Sequence, residues 1–259
     1  MHTAIVDWFG YNLSPMERLS LIRDAGFDAV LLLWTDAFDP DYAAFPTYAK
    51  TLGLKIESVH APYQNANAIW KDNLDGTAYT EQILSSIRDC HIHGIPTLVM
   101  HPTSGKPNLS PDVLAPGIDR FKRIGEFAEQ MGINVALENM EDPAVLQCIF
   151  PVVDTGRFGF CFDSGHWNAY TPELDLLTMY GDRLLTLHLH DNDGEEDQHA
   201  LPGTGTIVWK SLMEKLDRLG YEGALSLEVR STGYADNADP SAFLQLAMEK
   251  ATTLTNWIL

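Results

Sequence analysis

The chain has 259 residues, 45% of them hydrophobic, and a formal charge of −19 from 36 acidic against 17 basic residues. That length and apolar content can bury a large core, enough for one α/β barrel or two small domains. The negative charge and the lack of a Lys/Arg cluster argue against a surface that tracks phosphates, so no nucleic-acid partner is expected.

The N-terminus, MHTAIVDWFG, lacks a basic region followed by an apolar core, and the longest apolar runs are strand-sized. No signal peptide, membrane span or membrane partner is expected. Cys90, Cys148 and Cys161 are few, odd in number and widely spaced, which fits thiols in a reducing cytoplasm.

Strand-like and helix-like segments alternate along the chain. The short apolar run TAIVDWF starts at Thr3; PMERLSLIRDAGF then has helical spacing at Met16, Leu19, Ile22 and Ala25, opened by Ser14-Pro15 and stopped by Gly26. DAVLLLW is a continuous apolar strand of the kind covered on both faces. A helix through Tyr48 to Leu52 leads to KIESVHAPY, one from about Thr80 to His93 to TLVMHPT, and one from about Asp112 to Met131 to NVALENM. Short helices after Asp142-Pro143 and Thr171-Pro172 lead to RFGFCFDSGHW and LLTLHLHDND. VWKSLMEKLDRLGY, GALSLEVR and the helix SAFLQLAMEKATTLTNWIL complete the series. Eight strand-like segments, each followed by a helix-like one, predict one (β/α)8 TIM-barrel domain over 1–259, with a doubly wound open sheet as the alternative.

In such a barrel the chemistry lies at the carboxyl ends of the strands. The third strand-like segment ends at His60, the fourth at His101, the fifth at Glu138 and the sixth at Asp163 with His166. The seventh ends at His188 and His190, which share a face because residues two apart in a strand point the same way. Asp197 and His199 follow, then LPGTG, which can turn a loop back over the strand end; the eighth segment ends at Glu228. Imidazole and carboxylate are ligand types for divalent metals, and six consecutive strands deliver them to one rim. His2, His91 and His93 fall outside the pattern and read as structural. Trp8 and Trp34 stand at strand ends, where an indole can form the apolar wall of a sugar site. PGTG lacks the Lys-Ser/Thr of a phosphate loop, and there is no Gly-x-Ser-x-Gly elbow.

HAPY, VMHP, LEN, FDSGH, HLHDND with D-x-H-x-x-x-G, and LSLE together resemble the xylose isomerase-like TIM-barrel superfamily, over nearly the whole chain. That superfamily holds sugar and sugar-phosphate isomerases and epimerases, and the endonuclease IV group. The resemblance implies that Glu138, Asp163, His188 and Glu228 form the four-ligand metal site of the ketose epimerases. It also implies that His60, His101, His166, Asp197 and His199 match the further ligands of the three-zinc site in the endonuclease IV group. Gly194 stands where the epimerases carry a substrate-binding Arg.

Two enzyme readings follow, and a barrel that keeps its metal site as a binding module is a third. In the first, a divalent ion (Mn, Mg, Co or Zn) stabilises an enediolate while Glu138 and Glu228 move the proton of a small sugar or sugar phosphate. His166 and His190 then orient ligands or substrate hydroxyls. In the second, up to three zinc ions hydrolyse a phosphoester. Arg230 and Lys210 are cations that could meet a phosphate, although the acidic rim favours a neutral sugar. Self-association into a homo-oligomer is compatible with either reading.

Overall fold

The computed structural model describes residues 2–36, 40–106, 108, 110–153, 155–231 and 239–257. Eight parallel strands form one sheet: β1 (Thr3–Val6), β2 (Ala29–Leu33), β3 (Lys55–His60), β4 (Thr97–Met100), β5 (Asn134–Glu138), β6 (Phe158–Asp163), β7 (Leu184–His188) and β8 (Leu225–Leu227). Each pairs with the next in sequence from β1 to β7, and β8 pairs with β1. Between β7 and β8 the ring closes just past the end of β7. Leu189 N donates to Ser226 O at 2.8 Å, and Glu228 N donates to Leu189 O at 3.1 Å. This is the expected parallel barrel.

The outer layer comprises α1 (Pro15–Asp24), α2 (Phe45–Leu52), α3 (Leu74–His93), α4 (Pro111–Met131), α5 (Ala144–Ile149), α6 (Ser164–Tyr170), α7 (Leu176–Tyr180), α8 (Trp209–Arg218) and α9 (Pro240–Thr255). α1 begins at a capping box, in which Ser14 Oγ accepts from Glu17 N and Glu17 Oε2 accepts from Ser14 N. This satisfies backbone N–H groups that have no partner within the helix. α3 starts six residues before the predicted Thr80. Asn73 caps it by accepting from Gly76 N, and Gly76 reads in sequence as a turn residue. Glycine is required within the helix because the backbone of Lys71 and Ala68 passes too close for a side chain there. No helix among the described residues is long and apolar enough to cross a membrane.

Alternation along the strands sorts the barrel into two environments. Val59, Leu98, Met100, Leu137, Phe162, Leu187 and Leu227 belong to the main core, packed with residues from the helices. The alternate positions carry the ligand candidates, with smaller residues two positions earlier: Ser58 before His60, Val99 before His101, Ala136 before Glu138, Cys161 before Asp163, Thr186 before His188 and Ser226 before Glu228. All six are fully buried. The ligand layer thus rests on a packed floor of small side chains at the carboxyl end of the strands.

Candidate metal centre

Seven of the nine proposed ligands meet around Glu138, and the other two extend the cluster through His166. His60 Nδ1 lies 2.8 Å from Ala61 O, which turns Nε2 inward, 3.3 Å from Glu138 Oε2. His101 Nε2 is 3.1 Å from His60 Nε2 and 3.5 Å from the same carboxylate oxygen. On the other side, His188 Nδ1 sits 3.2 Å from Glu138 Oε2, 3.1 Å from Glu228 Oε2 and 4.0 Å from Asp163 Oδ2. His166 Nδ1 is 3.0 Å from Glu138 Oε1, and its Nε2 is 3.3 Å from Asp197 Oδ2. His199 Nε2 approaches that same Asp197 oxygen at 3.2 Å.

These separations fit metal ligation. Four donors bound tetrahedrally at about 2.0–2.2 Å stand about 3.3–3.6 Å apart, close to the spacings observed. The ligand atoms of Glu138, Asp163, His188 and Glu228 all lie within 4.8 Å of one another, as do those of His60, His101 and Glu138. His190, His199 and Glu228 form a further group of that kind, which the sequence pattern did not predict. Glu138 Oε2, both ring nitrogens of His188 and Asp197 Oδ1 are buried without a hydrogen bond of good geometry. Buried polar atoms ordinarily find a partner, and a divalent ion held by Glu138 Oε2 and His188 Nδ1 would satisfy both of those atoms.

Residues 19–248 match a family profile described as xylose isomerase-like TIM barrel. The chain belongs to the xylose isomerase-like TIM-barrel family. An uncharacterised protein of Methanocaldococcus jannaschii, MJ1311, is 30% identical over 184 residues, 66% of this chain and 63% of that protein. Fructoselysine 3-epimerase of Escherichia coli O157:H7 is 26% identical over 147 residues, 52% of either chain. A probable endonuclease 4 of Mycoplasma mycoides is 24% identical over 210 residues, covering 70% of this chain and 69% of its own. The chain thus spans less than two thirds of the first two relatives. Among solved structures, a D-tagatose 3-epimerase-like protein superposes with a TM-score of 0.79 at 24% identity, covering 99% of this chain and 98% of its own.

Within this xylose isomerase-like barrel, neighbouring side chains and backbone groups hold the ligand candidates in place. Asn139 accepts from Asp163 N at 2.8 Å and donates to Asp163 O at 2.9 Å, tying the ends of β5 and β6 together. Asp163 Oδ1 caps α6 by accepting from His166 N at 2.7 Å. His190 is fully buried, with Nε2 3.1 Å from both Asp163 oxygens and its ring stacked on His199 at 4.2 Å. It therefore supports Asp163 and does not line the cavity. The loop bearing Asp197 and His199 folds around Asp191, whose carboxylate accepts from Trp209 Nε1 at 2.7 Å and Gly203 N at 2.8 Å. His199 has a φ of 49°, uncommon for a residue with a side chain.

A cavity of about 220 Å³ opens on His60, His101, Glu138, His166, Asp197, His199 and Glu228, with Tyr63 and Arg230 completing the wall. Trp8 and Trp34, expected as an apolar wall for a sugar, do not line this cavity. The Trp34 indole donates to Asp89 on α3 at 3.0 Å and packs edge-on against Tyr42, while Arg18 lies over the Trp8 ring at 5.0 Å. Lys210 is exposed on α8 and does not line this cavity. Tyr63, which follows HAP at the end of β3, is the aromatic the sequence reading did not include among the site residues.

Charge and burial oppose each other throughout the centre. Burial works to raise the Glu138 carboxyl, yet His188 and His101 hold it well below the usual carboxylate range. Glu228 is likewise lowered against burial, chiefly by His188, and Asp197 by hydrogen bonds from His166 and His199. Burial disfavours protonated imidazoles, but Asp163, Asp197 and Glu138 raise His166 well above its ordinary value. Carboxylates raise His199, and Cys161, Glu228 and Glu138 raise His188 well above its ordinary value. Burial lowers His101.

These directions fix a sign for the metal-free protein. Raised imidazoles contribute stability that is full below about pH 6.5, the unfolded value, and is lost as pH rises through the folded values. The lowered carboxylates contribute stability present above about pH 4 and lost as pH falls through their folded values. With chelator, the melting temperature is expected to fall as pH rises above about 6.5. Metal-loaded protein should show no such fall, because an ion displaces these protons. Parallel melting curves for the two forms would contradict ligation by these imidazoles.

Proposed function

We propose that the protein is a metal-dependent sugar isomerase or epimerase with Glu138 and Glu228 as its acid–base pair. The observation that carries this reading is the convergence of the two carboxylates on one imidazole nitrogen, Glu138 at 3.2 Å and Glu228 at 3.1 Å from His188 Nδ1. They come from strands three positions apart in the ring, and both line the cavity. Glu138, Asp163, His188 and Glu228 would hold one divalent ion. Bound there, it supplies Lewis-acid polarisation of a substrate oxygen.

The chain's own residues do the rest. Both carboxylates are held ionised, so one can accept the proton from the carbon beside a sugar carbonyl and the other, once protonated, can return one. His166 keeps the Glu138 carboxylate in place from the Oε1 side. The cavity, about 220 Å³, is of monosaccharide size. The epimerases among the relatives agree with this chemistry.

A second reading, a multi-zinc phosphoester hydrolase, is favoured by the two further ligand groups. His60 and His101 share Glu138, and His166 and His199 share Asp197. Elemental analysis of the purified protein, with a sugar panel in D2O, separates the two. About one ion per chain and deuterium entering the carbon beside the carbonyl support the isomerase or epimerase. Two or three zinc ions, phosphoester cleavage and no exchange would replace it with the hydrolase.

A further inference from the structure

Arg230 lies two residues beyond Glu228 in the extended chain past β8, so its side chain leaves the same face and enters the same cavity. Its backbone N–H donates to His199 O at 2.9 Å, which anchors it to the loop that carries His199 and Asp197. No other Lys or Arg lines this cavity among the described residues. Three carboxylates share the wall with it, yet Arg230 forms no ion pair with any described carboxylate. Tyr63 lines the same cavity.

This is an unusual place for a cation. Arg230 is half-buried, next to a centre arranged for divalent ions, whose charge would repel it. A guanidinium not committed to a carboxylate keeps its planar set of donors for an oxyanion, which it can bind through two parallel hydrogen bonds. A chain with a charge of −19 also repels anions at long range, so an anionic substrate needs a local cation to be held.

We propose that Arg230, with Tyr63 in the same cavity, binds an oxyanion group of the substrate at the cavity wall. The substrate is then a small polyol carrying a phosphate or a carboxylate, not the neutral sugar that the acidic rim implied. This rests on the cavity being the substrate site of the proposed isomerase or epimerase.

The test uses metal-loaded wild-type protein, Arg230→Gln and Arg230→Lys, with three matched probes: D-fructose, its terminal phosphate ester and D-fructuronate. Affinity is measured by calorimetry and proton exchange by NMR in D2O, with melting temperature and metal content as controls for folding. Wild type is expected to bind one anionic probe roughly tenfold or more tightly than D-fructose, as charge-assisted hydrogen bonds predict. Which anion is preferred tells phosphate from carboxylate. In Arg230→Gln the ratio should fall to about one, and Arg230→Lys should keep part of it. Equal affinity for all three probes in wild type, no measurable affinity included, overturns the proposal, as does a preference that survives Arg230→Gln. A preference without exchange on any probe would retain the anion site and remove the isomerase reading. Exchange without a preference would do the reverse.

Discussion

Glu138→Gln is expected to lower turnover by roughly a thousandfold or more and to strip metal from the protein. Its carboxylate is the hub of the centre: Oε2 lies 3.2, 3.3 and 3.5 Å from His188, His60 and His101, and Oε1 lies 3.0 Å from His166. The amide has the same shape but no charge, and one of its two ends becomes a donor. It can neither bridge two ligand groups as an anion nor accept a proton from substrate. His188 and His166, no longer facing that charge, should lose part of their raised proton affinity. Breaking a buried ionic contact costs about 3–5 kcal/mol when the partner stays charged, and less here if the imidazoles deprotonate. Metal content by elemental analysis and turnover on the best substrate check the expectation, with near-ultraviolet dichroism as the control for fold. Wild-type metal content together with wild-type turnover would remove Glu138 from the centre.

Gly165→Ala is expected to disrupt the site through packing alone. The position looks unremarkable in FDSGH, but a methyl group there would overlap the His190 imidazole ring. His190 has little room to yield, since it is fully buried, contacts Asp163 and stacks on His199. Its backbone is also fixed, because His190 N donates to Ser164 Oγ at 3.0 Å and Ser164 Oγ donates to His190 O at 2.8 Å. Overpacking of this kind costs about 1–3 kcal/mol, sometimes more, or a melting temperature lower by roughly 2–12 °C in a chain of this size. Metal affinity should fall as well, because displacing His190 releases Asp163 and His199. Gly165→Ala with His190→Ala in the same chain should recover part of the melting temperature but not the affinity. No recovery in the double variant would mean that the clash lies elsewhere.

The barrel and the meeting of its ligand candidates at one rim were legible in sequence for one shared reason. Period-two alternation in short apolar runs places His60, Glu138, Asp163 and His188 at strand ends on the interior face, and the same alternation makes the strands recognisable. What was not legible depends on contacts distant in the chain. Trp34 turns outward because its acceptor, Asp89, is on α3, 55 residues away. His190 shares a face with His188, yet it ends up behind Asp163 because the chain has already passed the end of β7. Asn139, Gly165 and Asp191 sit inside the recognised motifs LEN, FDSGH and HLHDND, but their roles as tether, gap and loop anchor require coordinates. The early start of α3 was hidden because Gly76 normally signals a turn.

The junction of β7 and β8 has a mechanical consequence. Its two backbone hydrogen bonds both pass through Leu189, whereas β5 and β6 are paired over four residue positions. His188 and Glu228 face each other across that junction at 3.1 Å. An ion gripped by both would clasp the two sides of the ring, so loading it also latches the barrel shut. By linkage, a chain with that join undone cannot complete the ligand set and loses the ion. Amides from Leu189 to Val229 should therefore exchange faster with solvent after chelation than those of β5 and β6, and retained metal becomes a gauge of how many molecules are fully closed.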